Sequence, residues 1–167
     1  MKKILKWIAL CVIFVLCVSG CGILKTVTED PYVGNWIGIV KVPGMGNALL
    51  RVNIEPAEEE RYRVHATAEN YQRVQTEGEN ASKSNEFVWQ TGAELRFTGQ
   101  LESDTLQLNR MMHLSLMLSK ATGKLRFPDG TEISRDTGKE YPALKEELRK
   151  EMHEKFPEAV FRDKKAQ

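Results

Sequence analysis

Cysteine is missing from nearly the whole chain. Cys11, Cys17 and Cys21 are its three cysteines, and none follows. A disulfide framework or a cysteine metal site downstream of residue 21 is therefore excluded. An excess of charge is missing too. The chain carries 24 Lys and Arg against 23 Asp and Glu. Without Lys2, Lys3 and Lys6 the balance is 21 to 23, near −2, which offers no basic surface to a nucleic acid and no polybasic hold on anionic lipid. Motifs of catalysis are absent as well. There is no Gly-X-Ser-X-Gly elbow, no phosphate-cradling glycine loop and no His-Glu-X-X-His pair. His65, His113 and His153 are far apart, the first two on the polar phase of their segments and the third in a charged one, so no metal ligand set is read. Glu58-Glu59-Glu60 reads as a solvated loop, and the sequon at Asn80 is too short a motif to decide anything. The reading is non-enzymatic and without a cofactor, although catalytic groups that converge only in space leave no motif.

What is present begins with the leader. Residues 1–20 hold no acidic group. Lys2, Lys3 and Lys6 precede an apolar run over residues 7–18, and Ser19-Gly20-Cys21 follows. That order marks a secretory signal. Val18-Ser19-Gly20-Cys21 resembles the lipobox of bacterial lipoproteins. The resemblance implies cleavage before Cys21, diacylglycerol on its sulfur and acylation, such as with palmitate, of the new amino group. Two or three acyl chains hold a protein on a membrane stably. The competing reading is an uncleaved span: residues 7–24 are 18 positions without charge, at the lower edge of a membrane helix. Ser19, Gly20 and Gly22 break that stretch. Gly22 in place of Asp favours the outer membrane in a Gram-negative cell. In a Gram-positive cell the same leader places the domain on the outer face of the plasma membrane. The organisation read is a signal at 1–20, a lipidated N-terminus and tether at 21–31, a β domain at 32–137 and a C-terminal helix and tail at 138–167.

Over residues 32–135 the hydrophobic period is two. Tyr62, Val64 and Ala66 alternate with Arg63, His65 and Thr67; Leu50, Val52 and Ile54 with Arg51, Asn53 and Glu55. Leu95 and Phe97, Leu106 and Leu108, Met112 to Leu118, Leu125, Phe127 and Ile133 continue the pattern. One dry and one wet face per strand belongs to antiparallel sheets. Pro43-Gly44, Glu77-Gly78, Thr91-Gly92, Ser103-Asp104, Thr122-Gly123 and Asp129-Gly130 punctuate these runs as turns. Eight to ten short strands form a meander that must close to hide its apolar face and its edges. The fold class read is all-β, a small up-and-down barrel, with a β-sandwich as the alternative. Residues 68–86 read as a long loop or irregular strand. After them, Leu144, Leu148, Met152 and Phe156 recur every fourth residue from Pro142 onward, one apolar stripe on a helix ended by Pro157. This helix is expected to pack on the barrel wall or across a mouth, and residues 162–167 to fray.

Tyr32-Val33-Gly34-Asn35-Trp36 resembles the Gly-X-Trp opening of lipocalins and their calycin relatives. The resemblance implies that Trp36 closes one end of the barrel and that an arginine near the last strand lies across it. Arg135, in phase with Ile133, is the candidate, expected to point inward onto Trp36. Small barrels either fill their centre with side chains or hold one ligand. The inward candidates are Tyr62, Tyr71, Phe87, Trp89, Phe97, Phe127, Met111 and Met112, and the first five form the candidate ligand site. The function read is a membrane-anchored envelope module that binds a small apolar or amphipathic ligand. The alternative is an envelope protein that grips or inhibits a protein partner with a filled barrel.

Overall fold

The computed structural model describes residues 30–74 and 85–163. The lipobox Val18 to Cys21, the turn at Glu77-Gly78 and the sequon at Asn80 lie outside them. Contacts divide the chain into two units, Met1–Pro31 and Tyr32–Gln167, and the second carries the fold.

Nine strands run in chain order: β1 (Gly34–Val42), β2 (Gly46–Pro56), β3 (Arg61–Arg73), β4 (Glu86–Glu102), β5 (Thr105–Asn109), β6 (Leu114–Leu118), β7 (Leu125–Arg126), β8 (Glu132–Arg135) and β9 (Val160–Asp163). One helix, α1 (Glu140–Lys155), separates β8 from β9. Each of the first seven strands pairs antiparallel with the next, and β8 returns to β1 through Trp36↔Arg135 and Ile37↔Ser134. The result is a closed, eight-stranded up-and-down barrel, and β9 adds parallel to the first residues of β4. Closure removes most of the edges that an open meander would expose.

Alternation fills the barrel. Trp36, Val52, Ile54, Tyr62, Val64, Leu106, Leu116, Leu125 and Ile133 are all buried in one interior cluster, with Phe97 and Phe127 packed against it. Eight strands leave a centre just wide enough for side chains of this size. At the end where Tyr32 joins the barrel, its hydroxyl donates to the carbonyl of Asp104 at 2.7 Å and accepts the Leu118 N–H at 3.1 Å. We call this the near end. The β1–β2, β5–β6 and β7–β8 turns gather at the far end.

A second cluster lies outside the wall. The Leu144, Leu148, Met152 and Phe156 stripe of α1 packs with Ile37, Leu49, Tyr71, Phe87 and Trp89, and Leu148 is fully covered. This explains why Leu49 and Ile37 are buried out of phase with their inward neighbours: the helix roofs that part of the sheet. The helix begins without a side-chain cap at Lys139. The Glu140 carboxylate instead accepts the N–H of Lys139 at 3.2 Å, a group that a helix start leaves unpaired, and the N–H of Thr137 at 2.8 Å.

Four expectations are corrected here. The Thr91-Gly92 pair is no turn: β4 runs through it, and Gly92 is the extra residue of a bulge, since Ala68 faces Ala93 while Glu69 faces Thr91. The segment read as a long loop or irregular strand over 68–86 is regular strand up to Arg73 and again from Glu86. Met111 and Met112 do not point inward but occupy the β5–β6 turn, 93% and 71% exposed. Arg162 and Asp163 do not fray but extend β9, whose Val160 N–H donates to the Asn85 carbonyl at 2.8 Å.

Candidate functional site

The barrel and helix leave a groove of about 880 Å³ at the far end. One bank is the β1–β2 hairpin tip from Pro43 to Asn47, the floor is the last residues of β3 and the first of β4, and the other bank is the C-terminal half of α1. Local chemistry sets each part. Gly44 and Gly46 have φ of +77° and +80°, as the tight tip requires, and the Met45 N–H closes the turn on Val42 at 3.0 Å. The tip is then tied to both neighbours. Asn47 donates to Glu151 of α1 at 2.8 Å, and Asn70 donates to the Met45 carbonyl at 3.2 Å. Lys155 also pairs with Glu151. Hydrogen bonds from Lys155 and then Asn47 hold the Glu151 carboxyl below its usual range, so it stays ionised as a fixed strut.

Behind the tip, Gln72 donates to Asn70 at 3.0 Å and Gln90 to Gln72 at 2.8 Å. This amide row lies on the inward phase of β3 and β4 at the far end. Gly92 sits against it: a Cβ there would fall 2.4 Å from Met45 Cε and 2.6 Å from Gln72 Nε2.

The floor is aromatic. Phe87 lies 5.0 Å from Phe156 and 5.5 Å from Phe161, and Tyr71 meets Phe161 edge-on at 5.2 Å. Arg73 lays its guanidinium over Phe87 and Phe156, at 5.2 and 5.3 Å from the ring centroids, a favourable cation–π arrangement. Among the described residues it has no carboxylate partner within ion-pair distance. The groove thus offers methionine and phenylalanine surface beside the Arg73 guanidinium.

Next to it, under the first turns of α1, Tyr141 donates to Glu69 at 2.7 Å and Trp89 Nε1 donates to the same carboxylate at 3.0 Å. Arg51 approaches Glu69 at 4.0 Å, and Lys145 lies 5.0 Å over the Trp89 ring. Desolvation, followed by the Glu69 carboxylate, pushes the Tyr141 hydroxyl up to about 12. This triad fastens the helix to the wall.

The five candidate ligand residues therefore separate. Tyr62 and Phe97 belong to the interior, but Tyr71, Phe87 and Trp89 lie on the outer face beneath α1, a correction to their inward placement. Tyr71 shares phase with His65 and Glu69 rather than with Tyr62. The Gly92 bulge reverses the phase of β4, so Phe87 and Trp89 face away from the side taken by Phe97. Tyr71 and Phe87 line the groove; Trp89 belongs to the triad. The groove residues missed by sequence reading are Met45, Asn47, Asn70, Gln72, Arg73 and Glu151, which come together only through the hairpin tip. At the opposite end, Arg135 places Cζ 4.0 Å over the Trp36 ring and donates to the Val33 carbonyl. It does so from the surface rather than from inside, because its strand ends there. Trp36 donates its own Nε1–H to the Tyr32 carbonyl at 2.9 Å.

Among the described residues, no three His, Cys, Asp or Glu side chains converge as a metal ligand set. Comparison with protein-family models, curated proteins and solved structures finds no match to this chain.

Proposed function

We propose that the chain is a lipid-anchored, non-catalytic binding module of the bacterial cell envelope, holding a small amphipathic molecule in the groove between the β1–β2 tip and α1. The observation that carries this reading is the pairing of an apolar floor with Arg73 in a space of about 880 Å³, within the range of small-molecule sites. The interior offers a poorer place, since its centre is taken by side chains of the barrel itself. An alkyl or aryl portion would lie on Phe87, Met152 and Phe156, and an acidic group would meet Arg73. The groove and Tyr32 are at opposite ends of the barrel. Anchoring rests on Cys21 and its lipobox. The membrane is the outer one in a Gram-negative cell and the plasma membrane, outer face, in a Gram-positive one.

Both parts are testable. Globomycin, which blocks the lipoprotein peptidase, should leave a larger precursor; an unchanged size would remove the anchor. Residues 30–167, which contain both hydrophobic clusters, should bind dodecyl phosphate saturably at submicellar concentration in a calorimeter. Arg73→Gln should weaken binding about tenfold, as loss of a charged hydrogen-bond partner would. No saturable heat would reject the groove. A second reading, an envelope protein that grips a partner protein, draws on the exposed Met111 and Met112. An enriched partner lost on replacing both by Ser would favour it.

A further inference from the structure

Strand β4 is 17 residues long, and one of its sides is covered only at the ends. β5 pairs with Gln100, Leu101 and Glu102, and β9 with Glu86 to Trp89. Between them, residues 90–99 pair with β3 alone among the described residues. That is about 33 Å of sheet edge at ~3.3 Å per residue. Proteins usually blunt an edge of this kind. Here its midpoint is Leu95, an apolar residue on the inward phase that is nonetheless 51% exposed.

The direction of the backbone groups follows from the hairpin below. Glu102 and Thr105 flank the two-residue turn Ser103-Asp104, and Ser103 has a φ of +56°. Such a turn bonds its first carbonyl to the N–H three residues on, so Glu102 turns its polar groups toward β5. Alternation then directs those of Gln100, Thr98, Arg96 and Glu94 to the same side, until the Gly92 bulge interrupts the phase.

We propose that this edge pairs antiparallel with the same edge of a second copy of the chain, about a two-fold axis through Leu95. In that register Glu94 faces Arg96 of the second copy, and Arg96 faces its Glu94. Those two pairs are the hydrogen-bonded ones, with some four backbone bonds between them. The two Leu95 residues form the intervening close pair, about 4.5 Å between Cα atoms, and Ala93 faces Phe97. Glu94-Leu95-Arg96 is complementary to itself only in this arrangement, which is why a second copy fits this edge. A two-fold contact of this type closes on itself and does not propagate. Both charges are available: Glu94 is 49% and Arg96 80% exposed in their side chains, and their present partners are each other at 3.2 Å and His65 at 2.7 Å from Glu94. β5 and β9 bound the gap and limit the pairing to its central residues. The inference stands apart from the groove and its ligand.

The test is sedimentation equilibrium of the full chain in density-matched detergent micelles. The wild type should be a dimer that dissociates on dilution. Glu94→Arg or Arg96→Glu alone sets like charges opposite each other twice and should raise the dimer Kd about tenfold or more. The double exchange E94R/R96E rebuilds complementarity and should return the Kd to within a few fold of wild type. Circular dichroism checks that each variant keeps its fold. A wild type that is monomeric at every concentration, single variants that associate as well as wild type, or a double exchange as weak as the singles would each overturn the proposal. So would recovery of a strand from a different protein cross-linked at position 96.

Discussion

Arg135 and Trp36 meet where β8 returns to β1, and two neighbouring residues take part. The guanidinium lies over the indole and donates to Val33. Gly34, with a φ of +130°, has no side chain in the way: a Cβ there would fall 2.3 Å from Arg135 Nη1. Because Arg135 is exposed, its stacking contributes toward the lower end of the cation–π range, and its hydrogen bond adds a similar amount. We predict that Arg135→Gln lowers stability by about 1–2 kcal/mol in urea titrations, with Arg135→Lys recovering only part of it. A loss under about 0.5 kcal/mol, typical of surface positions, would reduce the contact to coincidence. Tyr141 gives a second prediction at this scale. An unfolded tyrosine titrates near 10 and Tyr141 near about 12, so between those values the folded state holds the proton more tightly. Stability from this group is therefore complete below about pH 10 and is lost as pH rises toward 12. Tyr141→Phe should cost about 1 kcal/mol at neutral pH and flatten the alkaline decline of the urea midpoint. An equally steep decline in the variant would place the cause elsewhere.

Among the elements, α1 is joined to the barrel by a core of its own. Leu148 is its one fully buried residue, and Leu144, Met152 and Phe156 flank it. Leu148→Ala should cost about 2–5 kcal/mol. Hydrogen exchange should show the loss first in α1 and β9, with the β1–β2 and β2–β3 ladders still protected; uniform deprotection would mean that helix and barrel share one core. The stripe was legible in the sequence because period four is local. The meander was legible because each strand from β1 to β8 pairs with its chain neighbour. The Gly92 bulge was not: Thr91-Gly92 has the composition of a turn, and only pairing with Ala68 and Glu69 keeps the strand continuous. Missing that bulge sent Phe87 and Trp89 to the wrong face. Arg73, Asn47 and Glu151 were invisible as a set for a related reason. Asn47 and Glu151 are 104 positions apart and meet only because the hairpin tip reaches the end of α1.

At the scale of the whole molecule, the barrel is a packed scaffold and the proposed ligand groove lies against α1. Two separate hydrophobic clusters make that division physical: one fills the barrel, the other joins wall to helix. The groove borders the second, so a ligand would lean on α1 rather than enter between strands. Side-chain methyl NMR of residues 30–167 titrated with dodecyl phosphate tests this most directly. The account predicts shifts at Met45, Leu148 and Met152, which line the groove, with Ile54, Leu106, Leu116 and Ile133 unmoved. Shifts centred on those four interior methyls, with the groove methyls silent, would contradict it.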